Sequence, residues 1–106
     1  MNRFSEKDWK LFRSKLSDWQ EAYMDRLNRE YIKLLSGKGN ASDKFWALEK
    51  RIREDKQDCG VQCEMSRSTQ FYVMASLLRE GAITFDDLEE FSDDFKDVMK
   101  RFAGKR

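Results

Sequence analysis

The chain has 106 residues, of which 39% are charged and 13% are aromatic, and its formal net charge is +1. This length fits a single domain, residues 1–106, and the near-neutral balance gives no general attraction to nucleic acid or to a membrane surface. Histidine is absent, which removes the commonest general base and metal ligand, and proline is absent, which favours uninterrupted helices. We therefore expect one all-α domain with a usable core.

The sequence contains no segment typical of export or of a membrane span. The N-terminal residues have no apolar signal region, and the longest apolar run, Phe71–Ala75, is far shorter than the roughly 20 residues that cross a bilayer. Two cysteines without an export signal are typical of a reducing compartment. We expect a soluble cytosolic protein.

Residues 5–35 predict one long helix of about 45 Å at 1.5 Å per residue. Ser5 and Asp8 form an S-x-x-D capping pattern, and Ser36 with Gly37 marks the end. A strict heptad does not continue past Tyr23, so a bundle helix is favoured over a coiled coil. The apolar stripe is too broad for one partner helix to cover, so part of it could bury against a second copy of the chain. Its members are Trp9, Phe12, Leu16, Trp19, Tyr23, Met24, Leu27, Tyr31, Leu34 and Leu35.

Residues 41–58 predict a second helix, capped by Asn40 or Ser42 and ended by Gly60. Trp46 lies about a quarter turn from the apolar stripe, and it either packs against the long helix or stays exposed for a partner. The stripe itself contains Phe45, Leu48, Ile52 and Cys59. The following residues 60–66 could form a loop or a short extended segment.

Residues 67–80 predict a third helix, capped by Ser66 or Ser68. It is apolar on nearly all sides, which is typical of a central helix, so we expect it to be the most buried segment. Residues 85–102 predict a fourth helix, opened by a T-x-x-D cap at Thr84 and Asp87. We do not expect Ser92 to interrupt it, and Gly104–Arg106 is predicted to be a frayed tail.

These elements predict a four-helix bundle in which the first helix is much longer than the others. That helix would span two others end to end, or overhang them and pair with its copy.

The start of the fourth helix is strongly acidic, with seven acids between residues 84 and 97 against one base, Lys96. Acids in the first half of a helix and bases at its end complement the helix dipole. A calcium loop would need acids at alternate positions around a glycine, and a DNA-reading helix would need positive charge here. The sequence therefore favours a structural role for this run over either binding function.

Charged residues elsewhere are spaced for pairing along helices, and no catalytic, cofactor-binding or metal-binding residue is assigned. The expected pairs are Glu6 with Lys10, Asp25 with Arg29, Glu49 with Arg53, and Arg51 with Asp55.

The cysteines and one polar cluster leave alternatives open. Cys59 and Cys63 are most simply buried thiols, with a redox pair or a metal site pooled by a dimer as the alternatives. In the polar cluster 64–70, capping of the third helix explains the serines, and Arg67 is our candidate for recognising a partner.

Several segments resemble a group of small uncharacterised bacterial helical proteins, some of which carry a multidrug-transporter label. The resemblance rests on EKDWKLFRSKL (6–16), DWQEAYMDRLN (18–28), SDKFWALEKRI (42–52) and EMSRS (64–68). It extends over nearly the whole chain and brings no functional residue with it. The transporter label conflicts with the lack of a membrane-spanning segment.

The sequence thus predicts a non-enzymatic helical protein-interaction module without cofactors. It is expected to be homodimeric or to bind another protein, with Trp46 and Arg67 as candidate contacts. The alternative is a regulatory or nucleic-acid-associated factor, encoded by a mobile element, that acts through its acidic fourth helix.

Overall fold

The computed structural model describes the backbone of residues 5–103 and the side chains of residues 5–101. Within this range the protein is all-α and has no strand, as predicted. Its helices are α1 (Glu6–Ser36), α2 (Ala41–Asp55), α3 (Gln70–Glu80) and α4 (Asp93–Ala103), with a 3₁₀ turn at Phe85–Leu88. The predicted tail, Gly104–Arg106, lies outside the described residues.

Side-chain capping explains the start of α1 but not the starts of α2 and α3, where the N-cap residues are Asn40 and Thr69 (not the predicted Ser66 or Ser68) and neither makes a side-chain cap bond. The Ser5 hydroxyl accepts a hydrogen bond from the Asp8 backbone N–H at 3.0 Å, as the capping pattern predicts. α2 ends at Asp55, three residues before the predicted end, because the next backbone bonds tighten to an i→i+3 pattern. α3 begins at Gln70, not at residue 67, because residues 67–69 form a turn. Gly81 ends α3 in the left-handed region, with a φ of 77°.

The prediction of one continuous helix over residues 85–102 is wrong. Thr84 and Asp87 do form a capping box, but it opens only the 3₁₀ turn, and α4 starts anew at Asp93. Ser92 causes the break, because both its backbone N–H and its hydroxyl donate to the Asp8 carboxylate, at 3.0 and 2.6 Å. The Ser92 hydroxyl also accepts from the Phe95 N–H at 3.3 Å, so Ser92 caps α4.

The hydrophobic core lies at one end of the molecule, which measures 54 × 24 × 20 Å. We call this part the body: residues 6–20 of α1 with α3, the 3₁₀ turn and α4. α3 is largely buried, as predicted, with six of its 11 residues inside. The core contains Trp9, Phe12, Leu16, Cys59, Val73, Met74, Leu77, Ile83, Leu88, Phe91, Phe95 and Met99.

The other half of the molecule is a two-helix arm, which we define as residues 23–36 of α1 together with α2. The N-terminal half of α1 therefore packs within the body, and its C-terminal half packs against α2. Burial along the predicted stripe of α1 falls toward the arm, because no residue after Leu27 is buried and Leu35 is exposed. α2 has no buried residue at all. Within the arm, α1 and α2 pack mainly on each other, and Arg26 of the arm donates to the Gly81 carbonyl at the end of α3, at 3.0 Å.

Candidate interaction site

Exposed apolar side chains concentrate on the arm. Eight large hydrophobic side chains are exposed in the described part of the chain, and five of them belong to the arm. Clustering of this kind marks an interaction surface better than single exposed residues do. The five are Ile32, Leu35, Phe45, Trp46 and Ile52.

Most of these side chains share one face of the arm with an apolar cleft. The cleft has a volume of about 240 Å³ and is lined on α1 by Met24, Leu27, Asn28 and Tyr31, and on the α2 side by Ile52, Asp55, Lys56 and Val61. Helix spacing of three, four and seven residues places further side chains beside these lining residues. By that rule Leu35 continues the line of Asn28 and Tyr31, Ile32 follows Asn28, and Phe45 precedes Ile52 by two turns.

Paired charged side chains border the apolar face of the arm. Arg51 bonds to Glu30 across the two helices at 2.8 Å and approaches Asp55 at 3.4 Å. Two predicted pairs within single helices are also present, Asp25 with Arg29 and Glu49 with Arg53. The remaining predicted pair is replaced, because Glu6 binds Arg67 and not Lys10. The arm is therefore amphipathic, with an apolar face whose neighbouring charges are largely paired within the chain.

Two tyrosine–aspartate hydrogen bonds fasten α1 to the end of α2 and to the turn that follows it. The Tyr31 hydroxyl donates to Asp55 and the Tyr23 hydroxyl to Asp58, both at 2.6 Å. Burial, with the bond to Asp55, raises the pKa of Tyr31 to about 12. Burial and the bond to Asp58 also raise the pKa of Tyr23. Both phenols therefore stay protonated near neutral pH and act as structural donors.

The turn that follows α2 joins the arm to the body. The Glu80 carboxylate accepts the backbone N–H groups of Cys59 and Gly60, at 2.9 and 3.0 Å. Burial raises the pKa of Glu80, although these two bonds favour its charged form. Gly60 lies against the Tyr23 ring so closely that a β-carbon would collide with it. A glycine is required there to let the turn approach α1.

The two cysteines lie in and beside this turn as free thiols. Cys59 is buried and Cys63 half-buried, and burial raises the pKa of both thiols. The Gln20 amide donates to the Cys59 carbonyl at 2.9 Å and lies 3.7 Å from the Cys63 sulfur. Their surroundings favour the neutral thiol over the reactive thiolate.

The two predicted partner contacts lie at different places. Trp46 is 63% exposed on the arm, and its ring meets Phe45 edge to face at 4.9 Å. Of the two placements left open for Trp46, the structure has the exposed one. Arg67 lies on the body, where its guanidinium forms two bonds to Glu6 and covers the Trp9 ring at 5.0 Å. Arg67 is separated from the arm by about 25 Å of α1.

No helix within residues 5–103 is long and apolar enough to span a bilayer. Among the same residues no group of three or more histidine, cysteine or acidic side chains could hold a metal ion. The cleft, which sequence reasoning did not predict, depends on how far α2 is offset along α1. The seven-residue spacing of Phe45 and Ile52 was the only sign of it in the sequence.

Comparison with known proteins adds no family: no family model, curated protein or solved structure matches this chain.

Proposed function

We propose that this protein is a non-enzymatic, cytosolic helical interaction module that self-associates through the apolar face of its arm. The observation that carries the proposal is that, of the eight large hydrophobic side chains exposed among residues 5–101, five lie on the arm. A pair of helices buries only part of two apolar stripes, and a second pair completes a four-helix bundle. Trp46 contributes to this surface by supporting the Phe45 ring. The two free thiols fit a reducing compartment.

The size of the surface supports a reversible dimer and not a permanent one. α2 has 15 residues, so the face is about 22 Å long, and two adjacent helices make it about 20 Å wide. Two copies would thus cover about 900 Å² in projection, near the lower limit of about 1,000 Å² for a specific interface. A dissociation constant in the micromolar range is expected for such a contact.

Light scattering and sedimentation over a concentration series test this proposal. The dimer should form at micromolar concentration and persist at high salt, because apolar burial drives it. Ile32→Glu should abolish it, whereas Tyr72→Glu, an equally exposed position on the body, should leave it intact. A protein that stays monomeric at high micromolar concentration contradicts the proposal, as does a dimer that only the Tyr72 variant breaks.

A second candidate function rests on the acidic surface of the 3₁₀ turn and α4. All seven acids predicted there are exposed, and their charge could displace a polyanion from a basic partner. Some are engaged within the chain, since Glu90 pairs with Lys15 and Asp93 with Lys96. Capture of basic proteins that fails at high salt would support this regulatory role, and salt-insensitive self-association supports the first.

A further inference from the structure

Phe45 and the cleft lie on one face of the arm but at different heights. Phe45 is 61% exposed in the second turn of α2, and Ile52, which lines the cleft, lies about 10 Å further along the helix axis. The face thus carries a protruding ring and an apolar recess, separated along the arm.

The cleft suits an aromatic ring in size and chemistry. Its volume of about 240 Å³ exceeds the roughly 150 Å³ of an apolar cavity that accepts benzene. Its one acidic wall residue, Asp55, already accepts a hydrogen bond from Tyr31 and pairs with Arg51. An entering ring would therefore not leave this carboxylate unpaired, and the other two polar lining residues, Asn28 and Lys56, are exposed and can keep their polar ends in water.

We propose that a second copy of this chain inserts its Phe45 ring into the cleft, and receives the first copy's Phe45 in return. This inference rests on the proposed self-association and specifies its geometry. The two copies are related by a two-fold axis that lies in the plane of the contact, at right angles to the helices and midway between Phe45 and Ile52. This axis makes the two arms antiparallel and brings each ring to the other copy's cleft. A parallel pairing would place Phe45 against Phe45 and leave both clefts open.

Charge does not oppose this arrangement. Each copy has a formal net charge of +1, so mutual repulsion is small. Glu49, which lies close to the proposed axis, is paired with Arg53 in its own chain. Glu30 and Arg51 pair within one chain, and Arg51 also pairs with the cleft residue Asp55, so neither charge needs a partner from the second copy.

The first experiment measures the dissociation constant by sedimentation equilibrium. Phe45→Ala should weaken the dimer at least tenfold, since each dimer loses two buried rings. Tyr72→Ala removes an equally exposed ring from the body and should change the constant less than threefold. The exposure of both positions means that the monomer fold should survive, which circular dichroism checks. Equal constants for Phe45→Ala and the parent would overturn the proposal.

The second experiment identifies the pairing by disulfide trapping. Ala41→Cys and Lys56→Cys chains, which keep the Phe45 ring, are mixed under mild oxidation, and the parent chain, with Cys59 and Cys63 only, is the control. Both new positions are exposed, and the proposed axis brings position 41 of one chain beside position 56 of the other, so a 41–56 cross-link without one between two positions 41 is the expected result. A dimer that links 41 to 41 overturns the inserted ring but leaves self-association standing. A parent chain that is monomeric throughout overturns both.

Discussion

Replacing Asp8 by asparagine tests how the break before α4 is fixed. The Asp8 side chain is completely buried in the first turn of α1, and its carboxylate accepts both the backbone N–H and the hydroxyl of Ser92. Both Ser92 donors therefore bind the same carboxylate. This carboxylate lies at the N-terminal end of α1, where the helix dipole favours negative charge. An asparagine has the same shape, but its amide nitrogen would face one of the two donors.

The expected loss follows from these contacts. A hydrogen bond to a charged group contributes about 1.5–3 kcal/mol, and a mismatched buried donor costs a further 1 kcal/mol or so. We therefore expect Asp8→Asn to lower the free energy of unfolding by about 2.5–4 kcal/mol, out of the 5–15 kcal/mol typical of a domain. With a urea m-value of about 2 kcal/mol/M, the midpoint should fall by about 1–2 M.

Urea denaturation followed by tryptophan fluorescence measures this change, because Trp9 adjoins Asp8. Asp94→Asn removes an exposed acid from the same region and should change the free energy by less than about 0.5 kcal/mol. Ser92→Ala should be coupled to Asp8→Asn by about 1 kcal/mol in a double-mutant cycle. If Asp8→Asn unfolds at the parent's midpoint, Asp8 does not hold the break.

The remaining predictions concern the turn after α2 and the core. Gly60→Ala should lower the free energy of unfolding by about 1–3 kcal/mol, because the new β-carbon collides with the Tyr23 ring. Gly37→Ala, whose β-carbon would have ordinary contacts at 3.6 Å, should leave the stability nearly unchanged. Thermal unfolding compares the two variants, and equal melting temperatures would contradict the prediction. Because the pKa of Glu80 is raised in the folded state, the folded chain binds more protons than the unfolded one just above the ordinary carboxyl pKa of about 4.3. The stability contribution of Glu80 should accordingly fall as pH rises through that window. Urea titrations at several pH values should show this fall in the parent and not in Glu80→Gln. The same pH profile for the two proteins would refute the prediction. Gln70→Met should raise the free energy of unfolding by about 1 kcal/mol, because the buried Gln70 Oε1 has no hydrogen-bond partner among the described residues. If urea denaturation shows a loss of stability instead, this oxygen has a hydrogen-bond partner in solution.

Local chemistry in the sequence was enough to predict the helical class and most helix ends. Ser5, Gly81 and the Thr84–Asp87 box act within one turn of chain, so their effect can be read without knowing the fold. The broad stripe of α1 likewise predicted that one neighbour would not cover it. That expectation agrees with the decline of burial along the arm.

Tertiary contacts decided what local patterns left open. Ser92 interrupts the predicted fourth helix because Asp8, 84 residues earlier, supplies an acceptor for its N–H and hydroxyl. The period of three and four residues survives this break, since Leu88, Phe91 and Phe95 still reach the core, so the apolar periodicity does not reveal it. The cleft between Met24 and Ile52 likewise arises only from the offset of α2 along α1. Sequence alone thus determined which side chains are apolar and how they are spaced, and only the fold decided which of them remain exposed, because exposure depends on contacts between residues distant in the chain.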